Sequence, residues 1–313
     1  MHFTFIIKEN DASASVREGL EQRLREYDAM LRQRGDDYDI YTIEGEGDGA
    51  RYTHIYNDLH PAEDVCFVAC GGDSMVNEVA SGVAGFERKS MAILSLNEDV
   101  SSFTACYPQL DFTNLGAILQ GDFHNVDIIK VNDSYSLNVC SIGFDATISK
   151  RFHLQGPNKK HRRLAKLEAV VLARYNRVEV VADGIKLGRK HLLSCTIANG
   201  CCENHGAKCA PQAVNDDGLL EVCYVKPMSL LRLVCALPLY VKGEHLNRRS
   251  LSRFLISRQA KRVVVDAKDL IEITVDGEIL PGVHFEIEVL PQAISLLLPS
   301  VKDATVGEKH PTL

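Results

Sequence analysis

The chain has 313 residues, 45% hydrophobic and 25% charged, with a formal net charge of −7. This is an ordinary globular composition, and its length favours two domains, because single cores tend to stop growing near ~250–300 residues. The acidic balance argues against nucleic acid as a partner, and no apolar run reaches the ~18 residues of a spanning helix. The opening MHFTFIIKEN has too short an apolar run for a signal peptide and reads as a strand. Ten cysteines without a C-x-x-C pair are expected as reduced, mostly buried small hydrophobes of a cytoplasmic protein. Cys201, Cys202 and Cys209, near His205, match no zinc spacing well.

Phe3–Ile7 is the first predicted strand. Ser15-x-x-Glu18 reads as a capping box, followed by Val16, Leu20, Leu24, Tyr27 and Leu31 at helical spacing up to Gly35. Tyr38–Ile43 is a second strand, Tyr52–Leu59 a weak helix, and Val65–Cys70 a buried strand. A helix from Met75 to about Ala84 and a strand over Met91–Leu96 follow. This alternation predicts a parallel sheet covered by helices. Ligands of such sheets bind at the C-terminal strand ends. Gly71-Gly72-Asp73 and Leu96-Asn97-Glu98-Asp99 fall at two of them, so VACGGDSMVNEVASGV (68–83) is a candidate anion site at a helix N-terminus.

From about residue 125 the pattern turns to strands. VDIIKVNDSYSLNVCSIGF holds two β-like runs, and VEVVADGIKL and IEITVDGEIL each alternate around Asp-Gly, a hairpin signal. Two helices are expected here, over about 162–175 and 229–241. The polar tail from Lys302 is expected to fray.

Several motifs occur together and in order. GGDSMVNEVASG (71–82) is similar to the G-G-D-G-T-x-N-E-V loop of the diacylglycerol kinase catalytic-domain family, which includes bacterial lipid kinases, sphingosine kinases and ceramide kinases. NVCSIGFDA (138–146), CAPQAVNDDGLLEV (209–222), LPLYVKGEH (237–245), VDGE (275–278) and EVLPQAISLLLP (288–299) resemble its later segments. The resemblance covers roughly residues 1–300. It implies an α/β fold with an NAD-kinase-like nucleotide domain over 1–125 and a C-terminal β-sandwich lipid-side domain over 126–297. The segment from about 298 to 313 is expected to pack back on the first domain.

It further implies ATP and Mg²⁺ in the cleft between the domains and a lipid acceptor. Peripheral contact with the inner membrane face and a homodimer are further expectations. A lipid hydroxyl is a poor nucleophile and needs a carboxylate to accept its proton, together with a metal to hold phosphate charge. The family's proposed base falls on Glu278, with Asp276 beside it, and the turn is expected to bring both carboxylates near the cleft. Gly71, Gly72, Asp73, Ser74, Asn77, Glu78, Asn97 and Glu98 fall on the nucleotide loops. There Asp73 is expected to meet phosphate through Mg²⁺ or to order the loop, and Asn77 to reach adenine or ribose. Asp217, with the carbonyls of Val214 and Leu219, resembles a Mg²⁺ loop, whose oxygen-only donors suit a hard cation. The basic runs Lys159–Arg163 and Arg248, Arg249, Arg253 and Arg258 suit either a solvated face or anionic headgroups.

The nucleotide side departs from the family pattern. Ser74 stands where the family has glycine, with an expected strain of ~1–2 kcal/mol if φ is positive there. Met75 replaces threonine, Asn97 and Glu98 replace the second loop's glycine and threonine, and Asp99 adds an acid. Lys8-Glu9-Asn10 replaces the N-terminal N-P-x-x-G segment. Two readings follow: a divergent lipid kinase, or a non-catalytic relative that binds lipid or a partner without ATP turnover.

Overall fold

The structure is a computed structural model describing residues 1–8, 14–96, 100–143, 177–188, 191–203 and 206–301. Its first half is built on strands β1 (His2–Lys8), β2 (Asp37–Ile43), β3 (Val65–Cys70) and β4 (Lys89–Leu94). They run parallel in the order β4-β3-β1-β2. Strands β3 and β4 are buried at every residue, as a sheet covered on both faces requires. Helix α1 (Ala14–Arg34) lays Leu20, Leu24 and Leu31 into a core with Phe3, Phe5, Cys66 and Val68, and Gly35 ends it at φ +73°. The helix begins before Ser15, which is therefore inside it rather than at its cap.

Helix α2 (Asp48–Leu59) starts four residues before the predicted Tyr52. It presents Gly49, Thr53 and Asn57 as a buried stripe to α3 (Asp73–Val83). Asn57 Nδ2 donates to Gly82 O at 3.0 Å, and a Cβ on Gly82 would lie 2.8 Å from Ala50 O and nearer still to Thr53 Oγ1. The last glycine of GGDSMVNEVASG thus lets two helices touch. Gly82→Ala should lower stability by about 1 kcal/mol, overpacking of ~1–3 kcal/mol outweighing the better helix propensity. A thermal melt checks this; an unchanged melting temperature would mean that the helices separate freely.

After a 3₁₀ turn (Ser102–Cys106) and the short α4 (Leu115–Leu119), the chain enters β5 (Asp122–Val131). This strand spans both halves: Val126 and Ile128 sit in the first core, Ile129 and Val131 in the second. The expected boundary at 125/126 therefore falls within one continuous strand. Strands β6 (Ser134–Ser136), β7 (Val139–Gly143), β8 (Val178–Ala182), β9 (Ile185–Leu187), β10 (Ser194–Ala198) and β11 (Leu220–Val225) follow, then α5 (Leu230–Val241), β12 (Leu255–Ala260), β13 (Arg262–Val275) and β14 (Glu278–Leu298). Their pairings are antiparallel. Strand β13 pairs with β8 at one end and β7 at the other, across an irregularity between Asp266 and Ile271, so the sheet folds over the second core. Both Asp-Gly hairpins form. Asp183-Gly184 and Asp276-Gly277 each take positive φ at both residues, the twist that a two-residue turn needs.

Strand β14 joins the halves. Beyond an irregularity between Leu290 and Ile294, Ser295–Leu297 pairs in parallel with Ser90–Ala92 of β4. Ile294, Leu296 and Leu298 enter the first core, so the return to the first half begins at Ile294 rather than at 298. The predicted helix over 162–175, the run Lys159–Arg163 and the tail from Lys302 lie outside the described residues. Among the described residues, no helix is long and apolar enough to cross a membrane.

Candidate active site

Strands β3 and β4 are neighbours with Cys70 opposite Leu94, so the loops after them start side by side. Gly72 is the extended N-cap of α3. Asp73, in the first turn, faces the second loop: its Oδ1 accepts from Ser101 Oγ at 2.7 Å and Ser102 N at 2.6 Å, and its Oδ2 from Ser102 Oγ at 2.8 Å. Of the two expectations for Asp73, ordering the loop is what the geometry gives. Three donors occupy the carboxylate, leaving it poorly placed to ligate a metal. Asn97, Glu98 and Asp99 lie outside the described residues.

Ser74 lies inside α3 and is absent from the positive-φ residues, so the expected strain does not arise. Met75 is 6% exposed, in the core cluster of Val79 and Phe103. The altered position faces the interior, where a long thioether fills space.

Asn77 and Glu78 are both buried. Asn77 Oδ1 accepts from Leu137 N at 3.3 Å, linking α3 to the second half. Glu78 Oε2 accepts from Gly49 N at 2.8 Å, placing a carboxylate on the first turn of α2. A Cβ on Gly49 would lie 2.9 Å from that oxygen, which explains the glycine.

The Asp276-Gly277-Glu278 turn separates its two acids. Asp276 points inward, where Oδ2 accepts from Leu137 N at 2.7 Å and Asn138 N at 3.1 Å, and Oδ1 from Val139 N at 2.8 Å. Burial pushes its carboxyl up to about 7, against the amide N–H groups that favour its charge. The expectation that both carboxylates face the cleft is therefore corrected for Asp276, which is a positioning residue. Glu278 is exposed and lines a cleft of about 370 Å³ with Gly47, Arg51, His54, Asn77, Ser81 and Tyr135. The start of α2 in this cleft went unread in the sequence. Its signal is the glycine-rich GEGDG at 45–49.

The Asp217 loop is organised by a residue that sequence reasoning passed over. Buried Asp127 accepts from Gly218 N at 2.7 Å and Gln292 N at 2.8 Å, and its own N–H donates to Asn215 O at 2.7 Å. Burial holds the Asp127 carboxyl above the usual range, and the charges of Asp217 and Asp216 add to the rise. Asp217 is exposed, with Oδ1 accepting from Leu219 N at 2.9 Å. Val214 and Leu219 flank it with carbonyls, a hard-oxygen set that suits Mg²⁺ in donor type, with one carboxylate oxygen already engaged. Among the described residues, no group of three or more His, Cys, Asp or Glu side chains is placed to hold a metal.

Two family models match the chain in succession: the diacylglycerol kinase catalytic domain over residues 9–131, and the YegS C-terminal NAD kinase beta sandwich-like domain over 138–298. The chain belongs to the diacylglycerol kinase catalytic-domain family. A Pectobacterium atrosepticum protein named "Probable lipid kinase YegS-like" is 29% identical over 287 residues, covering 88% of this chain and 91% of that one. The Bacillus subtilis protein named diacylglycerol kinase is 24% identical over 302 residues, covering 92% and 94%. The crystal structure of a diacylglycerol kinase from Bacillus anthracis superimposes with a TM-score of 0.68 at 18% identity, over 97% and 98% of the two chains, a likeness of fold. In this family member the turn with Glu278 and the Asp217 loop keep the family pattern. The departures fall on Lys8-Glu9-Asn10 at the end of β1 and on the loops after β3 and β4.

Proposed function

We propose that the protein is a lipid kinase that transfers the γ-phosphoryl group of ATP, with Mg²⁺, to a hydroxyl of a diacylglycerol-like or sphingoid lipid. The placement of Glu278 carries this reading. Its turn is pinned by three amides on Asp276, and its exposed carboxylate opens on the cleft beside Asn77. An exposed carboxylate on a turn held in this way suits a general base that takes the proton of an attacking hydroxyl. Arg51, paired with Asp48 at 2.7 Å, lines the same cleft and is the cation there that a polyphosphate would meet. ATP with its Mg²⁺ brings the transferable group; Glu278 holds the acceptor proton and Asn77 offers an amide.

On the lipid side, α5 leaves Leu231 76%, Val234 46% and Val241 46% exposed, and Arg232 and Arg253 flank Phe254. Exposed aliphatic side chains with arginines nearby suit peripheral contact with an anionic membrane.

One observation favours the second reading, a relative that binds without turnover: the Asp73 carboxylate already accepts three hydrogen bonds from Ser101 and Ser102. A transfer assay with ATP·Mg²⁺ across diacylglycerol, sphingosine, ceramide, phosphatidylglycerol and polyprenol separates the two, run beside thermal melts with nucleotide. Metal-dependent transfer to one lipid, with stabilisation of ~2.7 kcal/mol at 100 times Kd, is the expected result. No transfer and no nucleotide-induced shift would leave the binding role.

A further inference from the structure

Away from the cleft, thiols from the two halves meet. Cys106 ends the 3₁₀ turn that begins at Ser102, and Cys201 and Cys202 follow β10. Cys201 N donates to Cys106 Sγ at 3.3 Å, and Cys201 Sγ lies 3.3 Å from Cys202 Sγ and 3.7 Å from Ala105 O. Gly200 permits this approach: a Cβ there would sit 3.2 Å from Cys106 Sγ and collide with Asn138 Oδ1. Cys106 and Cys201 are half-buried while Cys202 is buried, so a small solute can reach the first two. Hydrogen bonds with Cys106 and then Cys202 hold the Cys201 thiol below its usual range, and the Lys208 charge adds to this. The same contacts push Cys106 and Cys202 up. A part-exposed thiol held down in this way beside two others is the arrangement in which oxidation is site-selective.

We propose that Cys106, Cys201 and Cys202 form a thiol-oxidation site, with Cys201 attacking and Cys106 resolving, whose disulfide ties the turn after Ser101 to the second half of the chain. The oxidant is a hydroperoxide, with hydrogen peroxide as the simplest member. The Cys201 thiolate attacks one peroxide oxygen and the O–O bond breaks. This gives the Cys201 sulfenic acid and hydroxide, which leaves as water after taking a proton from solvent. Cys106 sulfur then attacks the Cys201 sulfur, the S–O bond breaks, and the Cys106 proton leaves with the departing hydroxide as a second water. Two thiols are oxidised to one disulfide and one peroxide is reduced.

Cys106 is the resolving partner rather than Cys202 for a geometric reason. Adjacent Cα atoms are about 3.8 Å apart, short of the roughly 4.4–6.8 Å that disulfides span. Cys106 Sγ already lies against the Cys201 amide at 3.3 Å, and its side chain is a hydrogen-bond partner of the Cys201 thiol. The bond would act on the active-site side of the molecule, because the same turn carries the serines that hold Asp73.

The test reads thiol chemistry and is independent of the kinase reading. The full chain is treated with hydrogen peroxide and digested with trypsin without reduction. Cleavage after Lys208 separates Cys209 from the 191–208 peptide, which holds Cys195, Cys201 and Cys202, and fragment ions then assign the linked sulfur. The expected product is a Cys106–Cys201 link, reversed by dithiothreitol. In Cys106→Ser, dimedone should instead label a sulfenic acid at Cys201; in Cys201→Ser, both link and label should vanish. In the reduced protein, iodoacetamide should modify Cys201 at least about tenfold faster than exposed Cys235. A Cys201–Cys202 link, a peroxide-treated protein that keeps all its thiols, or Cys235 reacting first would overturn the proposal.

Discussion

Glu278→Gln should abolish phosphoryl transfer and leave the melting temperature unchanged. The substitution keeps the shape of the side chain and removes its ability to take a proton. A positioned general base contributes roughly 10²–10⁴ in rate, so the loss should be of that order, in kcat more than in KM. The fold should not notice, because Glu278 is exposed at the mouth of the cleft and the turn beneath it is held by Asp276. Steady-state kinetics of both proteins on the best lipid acceptor, with a thermal melt of each, decide the matter. Turnover retained within threefold would move the base elsewhere in the cleft.

Asp276→Ala should instead lower stability by about 3 kcal/mol or more. Its carboxylate is the acceptor for three backbone N–H groups of Leu137, Asn138 and Val139. Buried donors left without an acceptor cost ~1–3 kcal/mol each, softened where water enters the gap. Asp276→Asn is the informative companion. One oxygen becomes an NH₂ group, which must face at least one of those same donors. It should therefore also destabilise, although volume is preserved and asparagine tolerates the positive φ of this turn. Urea unfolding of the three proteins measures the differences. A loss below ~1 kcal/mol in both variants would show that the amides find other partners, and Asp276 would lose its positioning role.

These two neighbours on one turn show how far the sequence could be read. Asp276-Gly277-Glu278 was legible as a hairpin because Asp-Gly between alternating runs has a local cause, the positive φ of a two-residue turn. The alternation of strands and helices along the first half was legible for a similar reason. Buried strands and amphipathic helices carry their period in the residues themselves, as Leu20, Leu24 and Leu31 do on α1. The 21-residue length of β14 was not legible, because its two ends pair with different partners and the irregularity between Leu290 and Ile294 has no short motif.

What the sequence determined by itself is the alternation of strands and helices in the first half, the hairpin turns and the family to which the motifs belong. These depend on local periodicity, backbone preference and residue identity. What only the tertiary structure decided is where each polar group points. Asp73 could meet a metal or a hydroxyl; Ser101 and Ser102, brought in by the neighbouring strand, take it. Glu78 falls on the nucleotide loop by motif, but the packing of α2 against α3 places the Gly49 amide in front of it. Asp276 could serve chemistry, but the link from β6 to β7 and the first residue of β7 deliver three N–H groups to it from far away in the chain. A carboxylate's role follows from which donors surround it, and for these residues the donors come from elements that only the folded sheet brings together.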